Sequence, residues 1–274
     1  MSGISSELTP PQRPPRTAPR FQMPRIVVAL MLREMATTYG KSAGGYIWAL
    51  ADPILGIALL TAVFQGAMGN TRPLIGTNFP LFYASGFLPF AMFNDITNKV
   101  AAAIRFSRPF LAYPSVTFID AMIARMLLNT LTHAAIIGVV LTGIFVFYSL
   151  PVTINLSAIF MSLMMTAMLA IGVGTLNCYL TTAFPIWERM WNILTRPLFL
   201  MSGVFFLYGM MPHKAQDILW YNPLIHCIGM MRSGLYPTYA GEYISPIYVI
   251  GVSLVLFLTG LILLERSHRN LLER

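Results

Sequence analysis

Residues 32–53 read LREMATTYGKSAGGYIWALADP, and the change of character inside this stretch decides the fold. On its N-terminal side, Ile26 to Tyr39 forms a short amphipathic segment in which Arg33 and Glu34 interrupt the apolar residues. On its C-terminal side the chain runs apolar from Tyr46 to Gly66, long enough at ~1.5 Å per residue to cross a bilayer. Between them Lys41, Ser42, Ala43, Gly44 and Gly45 form a small-residue corner where glycine permits a sharp turn. The pattern predicts a helix lying in the membrane surface, a turn, and then a spanning helix.

Composition agrees with that reading. Of 274 residues, 56% are hydrophobic and 10% charged, whereas soluble domains carry about a quarter charged residues. The chain therefore reads as an integral membrane protein. Cys178 and Cys227 fall in apolar surroundings and read as small core residues rather than a disulfide framework. The net charge of +8 follows membrane topology and does not indicate nucleic acid.

Spans are expected near residues 46–66, 79–101, 119–148, 154–184, 190–208 and 246–264. The third and fourth exceed the ~20 residues a bilayer requires, so they should tilt, bend or protrude. Gly172 and Gly174 are expected to soften the fourth, and Pro185 to help end it. Six spans put both termini on one side. With the N-terminus inside, Arg72, Lys214 and Arg232 fall outside and Arg125 lies within the third span. The remaining Lys and Arg are all cytoplasmic, which sets the orientation by the positive-inside rule.

The segment from Gly209 to Pro246 is moderately apolar but broken by Pro212, Pro223 and Pro237. Short helices that dip into the outer leaflet and return account for it best. Residues 1–25, with six prolines and four arginines, read as a disordered cytoplasmic tail. It is either a solvated segment that touches anionic headgroups or a docking site for a partner. The organisation is thus a tail (1–25), an amphipathic interface helix and corner (26–45), and a six-span domain (46–274).

Two sets of residues carry a resemblance. Leu32-Arg33-Glu34, Tyr39-Gly40-Lys41, Gly45-Tyr46, Trp48-Ala49-Leu50 and Asp52-Pro53 form the first, and Trp220-Tyr221-Asn222-Pro223-Leu224-Ile225-His226 the second. In order and spacing the chain resembles, from Met31 to Arg266, the ABC-2 type permeases that export capsular polysaccharide, such as polysialate, from Gram-negative bacteria. Related branches export O-antigen or teichoic acid. The resemblance implies an all-α membrane fold of six spans, with an N-terminal interface helix and re-entrant helices before the last span, the type V exporter fold. It also implies two copies of the chain with two ABC ATPase subunits, and a lipid-linked anionic polysaccharide as cargo. An inner-membrane location and periplasmic co-polymerase and outer-membrane export partners follow as well. In such permeases the interface helix and inner loops meet the ATPase, which here points to Arg33, Glu34, Lys41, Arg105 and Arg108. Trp220, Asn222, Pro223 and His226 would mark the re-entrant segment.

The residues supply little chemistry of their own. No Walker A run, complete GxGxxG or HExxH occurs; Gly172-Val173-Gly174 lacks the third glycine. The chain is not expected to be an enzyme or to hold a cofactor, and ATP with magnesium would belong to the partner ATPase. His133, His213, His226 and His268 lack ligand spacing, and carboxylates do not cluster within the spans.

Arg125 and Arg196 each lie about six residues inside an inner boundary. They are either snorkelling or paired within the protein, with Asp120 and Glu188 as available counter-charges, or cations at the inner mouth of a path for acidic glycan. Phe90, Trp191, Phe205 and Tyr208 either pack the core and interfacial belt or offer ring faces to sugar along that path. Two other functions stay open on the residues: export of a small amphiphile or drug, and a membrane scaffold without transport.

Overall fold

The computed structural model describes residues 22–38, 45–67, 72–106, 118–150, 153–239 and 241–272. Among them the chain forms α1 (Gln22–Thr38), α2 (Gly45–Ala67), α3 (Phe79–Ala101), α4 (Phe118–Phe147), α5 (Leu156–Ala183), α6 (Trp187–Met201), α7 (His213–Leu219), α8 (Pro223–Leu235) and α9 (Pro246–Leu272). There is no β-strand among the described residues, so the all-helical expectation stands. Stretches within α2, α4, α5 and α9 are long and apolar enough to cross a membrane.

Asparagine starts three of these helices. The side-chain oxygen of Asn78 accepts from the Leu81 N–H, that of Asn155 from Ala158 and that of Asn222 from Leu224, each satisfying a donor that the first helical turn leaves unpaired. Proline in the first turn of α3 and α8 loses nothing, because its missing N–H has no partner there.

Helix α5 is the axis of the bundle. It packs against α9 on one side and α3 on the other, with α8 filling the space between. Helices α2 and α4 lie on the outer side of α3, and α1 rests on α4. The core runs through Met92, Phe93 and Ile96 of α3, Met165 and Leu169 of α5, and Leu224, Ile228 and Met231 of α8, all buried.

Several boundaries differ from the sequence reading. Helix α1 begins at Gln22, so residues 22–25 belong to it and not to a tail. The stretch 190–208 is not one helix: α6 stops at Met201, and Gly203 at φ +88° turns the chain in a conformation that side chains disfavour. At 15 residues α6 is only about 22 Å long. Helix α5 continues unbroken through Gly172 and Gly174, which therefore do not soften it. Arg232, expected in an outer loop, lies inside the bundle because α8 folds back between α3 and α5. Lys41 and its corner up to residue 44, Arg108, and most of the tail lie outside the described residues.

Candidate functional site

Helix α6 has no buried residue, and its exposed surface has two characters. Met190, Ile193, Leu194 and Leu200 make an apolar side. Asn192, Thr195 and Arg196 make a polar side, which borders a cavity of about 470 Å³ shared with Phe90, Asn94 and Asn98 of α3 and with Phe199. Amide, hydroxyl and guanidinium groups at membrane depth are tolerated where water or protein meets them and disfavoured against lipid. A second cavity of about 630 Å³ opens between α2, α3 and α4 and shares Phe90, Asn94 and Phe199 with the first. Asp52, Asp95, Lys99, His133 and Trp48 contribute to its wall.

Aromatic rings connect this polar patch to the far end of the bundle. Phe90 meets Phe199 at 4.8 Å between centroids, Phe199 meets Phe205 at 5.0 Å, Phe205 meets Phe64 at 5.4 Å, and Phe64 meets Tyr83 at 5.3 Å. The stack draws on α2, α3, α6 and the loop after α6. Phe90, Arg196 and Phe205 are thus brought to one side of the molecule. Trp191 instead packs against the core with its indole N–H buried and without a hydrogen-bond partner. Tyr208 stacks on Tyr243 at 4.0 Å in the segment before α9.

Arg125 lies elsewhere and is buried. Its Nε is 3.2 Å from Glu34 Oε2 of α1, its Nη1 donates to the Lys99 carbonyl at 2.8 Å, and its guanidinium sits 4.4 Å from the Phe106 ring centroid. The paired reading of Arg125 therefore holds, and Glu34, which comes from a different helix, supplies a counter-charge that the sequence does not suggest. Burial pushes the Glu34 carboxyl above the usual carboxylate range, and the Arg125 charge pulls it part of the way back. Glu34 thus faces inward, whereas Arg33 is half-buried at the edge of the same contact.

Glu188, expected to be available to Arg125 or Arg196, pairs with Arg105. Arg105 clamps it in a two-pronged bond, Nη1 to Oε2 at 2.8 Å and Nη2 to Oε1 at 3.2 Å, joining the helical turn that follows α3 to the start of α6. That bond holds the Glu188 carboxyl below its usual range. Both side chains are largely exposed, so Glu188→Gln should lower stability by less than about 1 kcal/mol. Because the folded chain ionises Glu188 more readily than the unfolded chain does, the contribution is present above about pH 4.3 and fades as pH falls through the lowered value. Thermal unfolding of the detergent-solubilised protein at several pH values checks this.

The four residues expected in the re-entrant segment do come together. Asn222 caps α8 and its amide donates to the Met201 carbonyl at 3.1 Å, fastening the end of α6. Pro223 is the first residue of α8. The Trp220 indole donates to the Tyr243 carbonyl at 3.2 Å. His226 Nδ1 accepts from the Ser245 N–H at 3.2 Å, which leaves Nε2 to carry the proton donated to the Trp220 carbonyl at 2.8 Å. The motif is a folding device that holds the turn between α7 and α8 against the start of α9.

Two clusters escape a linear reading. Arg232 donates to the carbonyls of Phe206 at 2.8 Å and Val204 at 3.1 Å, with its guanidinium 4.7 Å from the Phe82 ring centroid. Asp95 Oδ2 receives both Lys99 Nζ at 2.8 Å and His133 Nε2 at 2.7 Å. The four-residue spacing of Asp95 and Lys99 on a helix signals the first of these contacts; nothing local signals the approach of His133.

A sequence model of the ABC-2 type transporter family matches residues 25–236, which takes in α2 to α8 and all but the first three residues of α1. The chain belongs to the ABC-2 type transporter family. Within it the chain is similar to the polysialic acid transport protein KpsM of Escherichia coli, 29% identical over 92% of this chain and 97% of that protein. It is also similar to the capsule polysaccharide export inner-membrane protein CtrC of Neisseria meningitidis serogroup A, at 25% identity over 90% and 92%. A third relative is the capsule polysaccharide export inner-membrane protein BexB of Haemophilus influenzae, at 24% over 90% and 92%. The ABC-2 family match covers both stretches that carry the resemblance, Leu32 to Pro53 and Trp220 to His226.

Proposed function

We propose that this chain is the membrane permease subunit of an ATP-driven exporter that moves lipid-linked, anionic capsular polysaccharide across the bacterial inner membrane. The observation that carries the reading is the polar and aromatic side of α3 and α6. Phe90, Asn94, Asn192, Arg196 and Phe199 combine flat apolar rings, which suit the C–H faces of sugars, with amides and a cation that suit hydroxyl and acidic groups. Similarity to a polysialic acid transport protein and to two capsule polysaccharide export proteins over nine-tenths of the chain supports the cargo.

The chain carries no phosphate-binding loop, so ATP and magnesium act in a partner ATPase. Two copies of the chain, each with an ATPase subunit, close the path between them. The half-apolar, half-polar surface of α6 suits that arrangement, with one side toward the path and the other toward lipid or the second copy. Six spans with both termini in the cytoplasm agree with the distribution of Lys and Arg. Arg33 and Arg105 then face the ATPase from the inner side. Periplasmic co-polymerase and outer-membrane export proteins take the polymer onward.

Deleting the gene and measuring polysaccharide on the surface and inside the cell tests the function. Loss from the surface with accumulation inside is expected, restored by the wild-type gene. Complementation with Arg196→Gln should export about tenfold less if a charge contact with the cargo is worth ~1.4 kcal/mol. Normal surface polysaccharide in the deletion strain overturns the reading.

A further inference from the structure

The interface helix α1 is tied to the rest of the bundle by a chain of polar contacts that ends at the larger cavity. Glu34 of α1 pairs with Arg125 of α4 at 3.2 Å, and Arg125 donates to the Lys99 carbonyl of α3 at 2.8 Å. The Lys99 ammonium meets Asp95 one turn back along α3 at 2.8 Å, and Asp95 meets His133 of α4 at 2.7 Å. Asp95, Lys99 and His133 line the cavity between α2, α3 and α4 that shares Phe90, Asn94 and Phe199 with the polar patch of α6. A series of contacts with no break thus runs from the cytoplasmic surface helix to the candidate path.

Physical reasons make this series stiff. Each contact is short and involves at least one charged group, which gives roughly twice the strength of a neutral hydrogen bond. The Glu34 and Arg125 side chains are 13% and 6% exposed, so sliding α1 away would leave charges unpaired at low dielectric. Arg125 grips α1 and α3 at once with separate nitrogens, and Phe106 covers its guanidinium. A displacement of α1 is therefore transmitted to the C-terminal end of α3 instead of being absorbed at the surface. Beyond Lys99, a shift of α3 against α4 is felt at the Asp95–His133 bond, which joins those two helices on the cavity wall.

We propose that Glu34, Arg125, Lys99, Asp95 and His133 form one coupling element that converts movement of the interface helix into a change at the cavity. They are positioning residues, with no ATP or ATPase contact of their own. The inference rests on the proposed ATP-driven export.

The test combines two readouts. Surface and intracellular polysaccharide are measured in the deletion strain complemented with Glu34→Gln, Arg125→Gln, Asp95→Asn, or the pair Glu34→Gln/Asp95→Asn. The permease–ATPase complex of each variant is then purified from the same strains for assembly and ATP hydrolysis. Each single variant is expected to export at least tenfold less, with the complex intact and ATP hydrolysis within twofold of wild type. The double variant should export no less than the weaker single, because Glu34 and Asp95 act in series without touching. Should Arg125→Gln fail to accumulate, the Glu34/Asp95 cycle decides alone. Multiplying losses in the double variant, wild-type export in the singles, or a parallel fall in assembly and hydrolysis each overturn the coupling element. If the wild-type chain neither restores surface polysaccharide nor purifies with an ATPase, the proposed function itself fails, and that outcome is separate from the others.

Discussion

Gly172→Val is expected to destroy the packing of the bundle, lowering stability by more than about 3 kcal/mol. A Cβ at Gly172 would run into the Ser253 carbonyl oxygen of α9, and its neighbours there are also backbone atoms, which cannot rotate aside. From the other helix, a Cβ at Gly260 would lie 2.7 Å from the Leu176 nitrogen of α5. The two helices therefore approach backbone to backbone at both levels, the arrangement that small residues permit between membrane helices. Separating them to admit a side chain would strip dispersion contacts along the most extensive interface among the described helices. Gly251, also on α9, has open space around its would-be Cβ. Gly251→Ala should consequently leave stability unchanged or raise it by about 0.5–1 kcal/mol through helix propensity. Thermal unfolding of the purified protein in detergent separates the two variants; equal melting temperatures for them would contradict the close approach.

Arg232→Met should be nearly as damaging, at about 3–5 kcal/mol. The guanidinium is the donor for the carbonyls of Phe206 and Val204 in the loop that follows α6, where the chain has left helical geometry. Methionine fills much of the volume but supplies no donor, so two carbonyls lose their partners in a site closed to water. The ring of Phe82 loses the cation above its face as well. Arg232→Lys should recover little, since one ammonium cannot reproduce the fork that reaches both carbonyls. Besides a lower melting temperature, protease sensitivity in the loop 202–207 should rise in both variants. A lysine variant as stable as wild type would show that charge, not fork geometry, holds the loop.

These two sites also mark how far the chain could be read in one dimension. Composition and the length of apolar runs sufficed for an all-helical membrane protein, because bilayer thickness imposes helix length and an unpaired backbone group is intolerable in lipid. The stretch from Leu32 to Pro53 and the motif from Trp220 to His226 sufficed for the ABC-2 family, since both are local in sequence. Phe90, Arg196 and Phe205 were legible as candidates, although not as neighbours.

What the amino-acid order could not convey was which groups meet across helices. Glu34 and Arg125 are far apart in sequence, so nothing local signals that they pair. Gly172 and Gly174 read as flexibility, yet residues two apart on a helix point about 200° from each other. One admits α9 and the other admits α3, where a Cβ at Gly174 would lie 2.8 Å from Val100 Cβ. Arg232 read as an outer-loop charge because its segment is too broken to span, and only the return of α8 into the bundle buries it. The sequence by itself determined the class, the family and, to within two residues, the bounds of α2 to α5, because hydropathy and turn chemistry act within a few residues. Tertiary structure decided every pairing of charges and every close helix approach, because those depend on distances that short-range chemistry does not set.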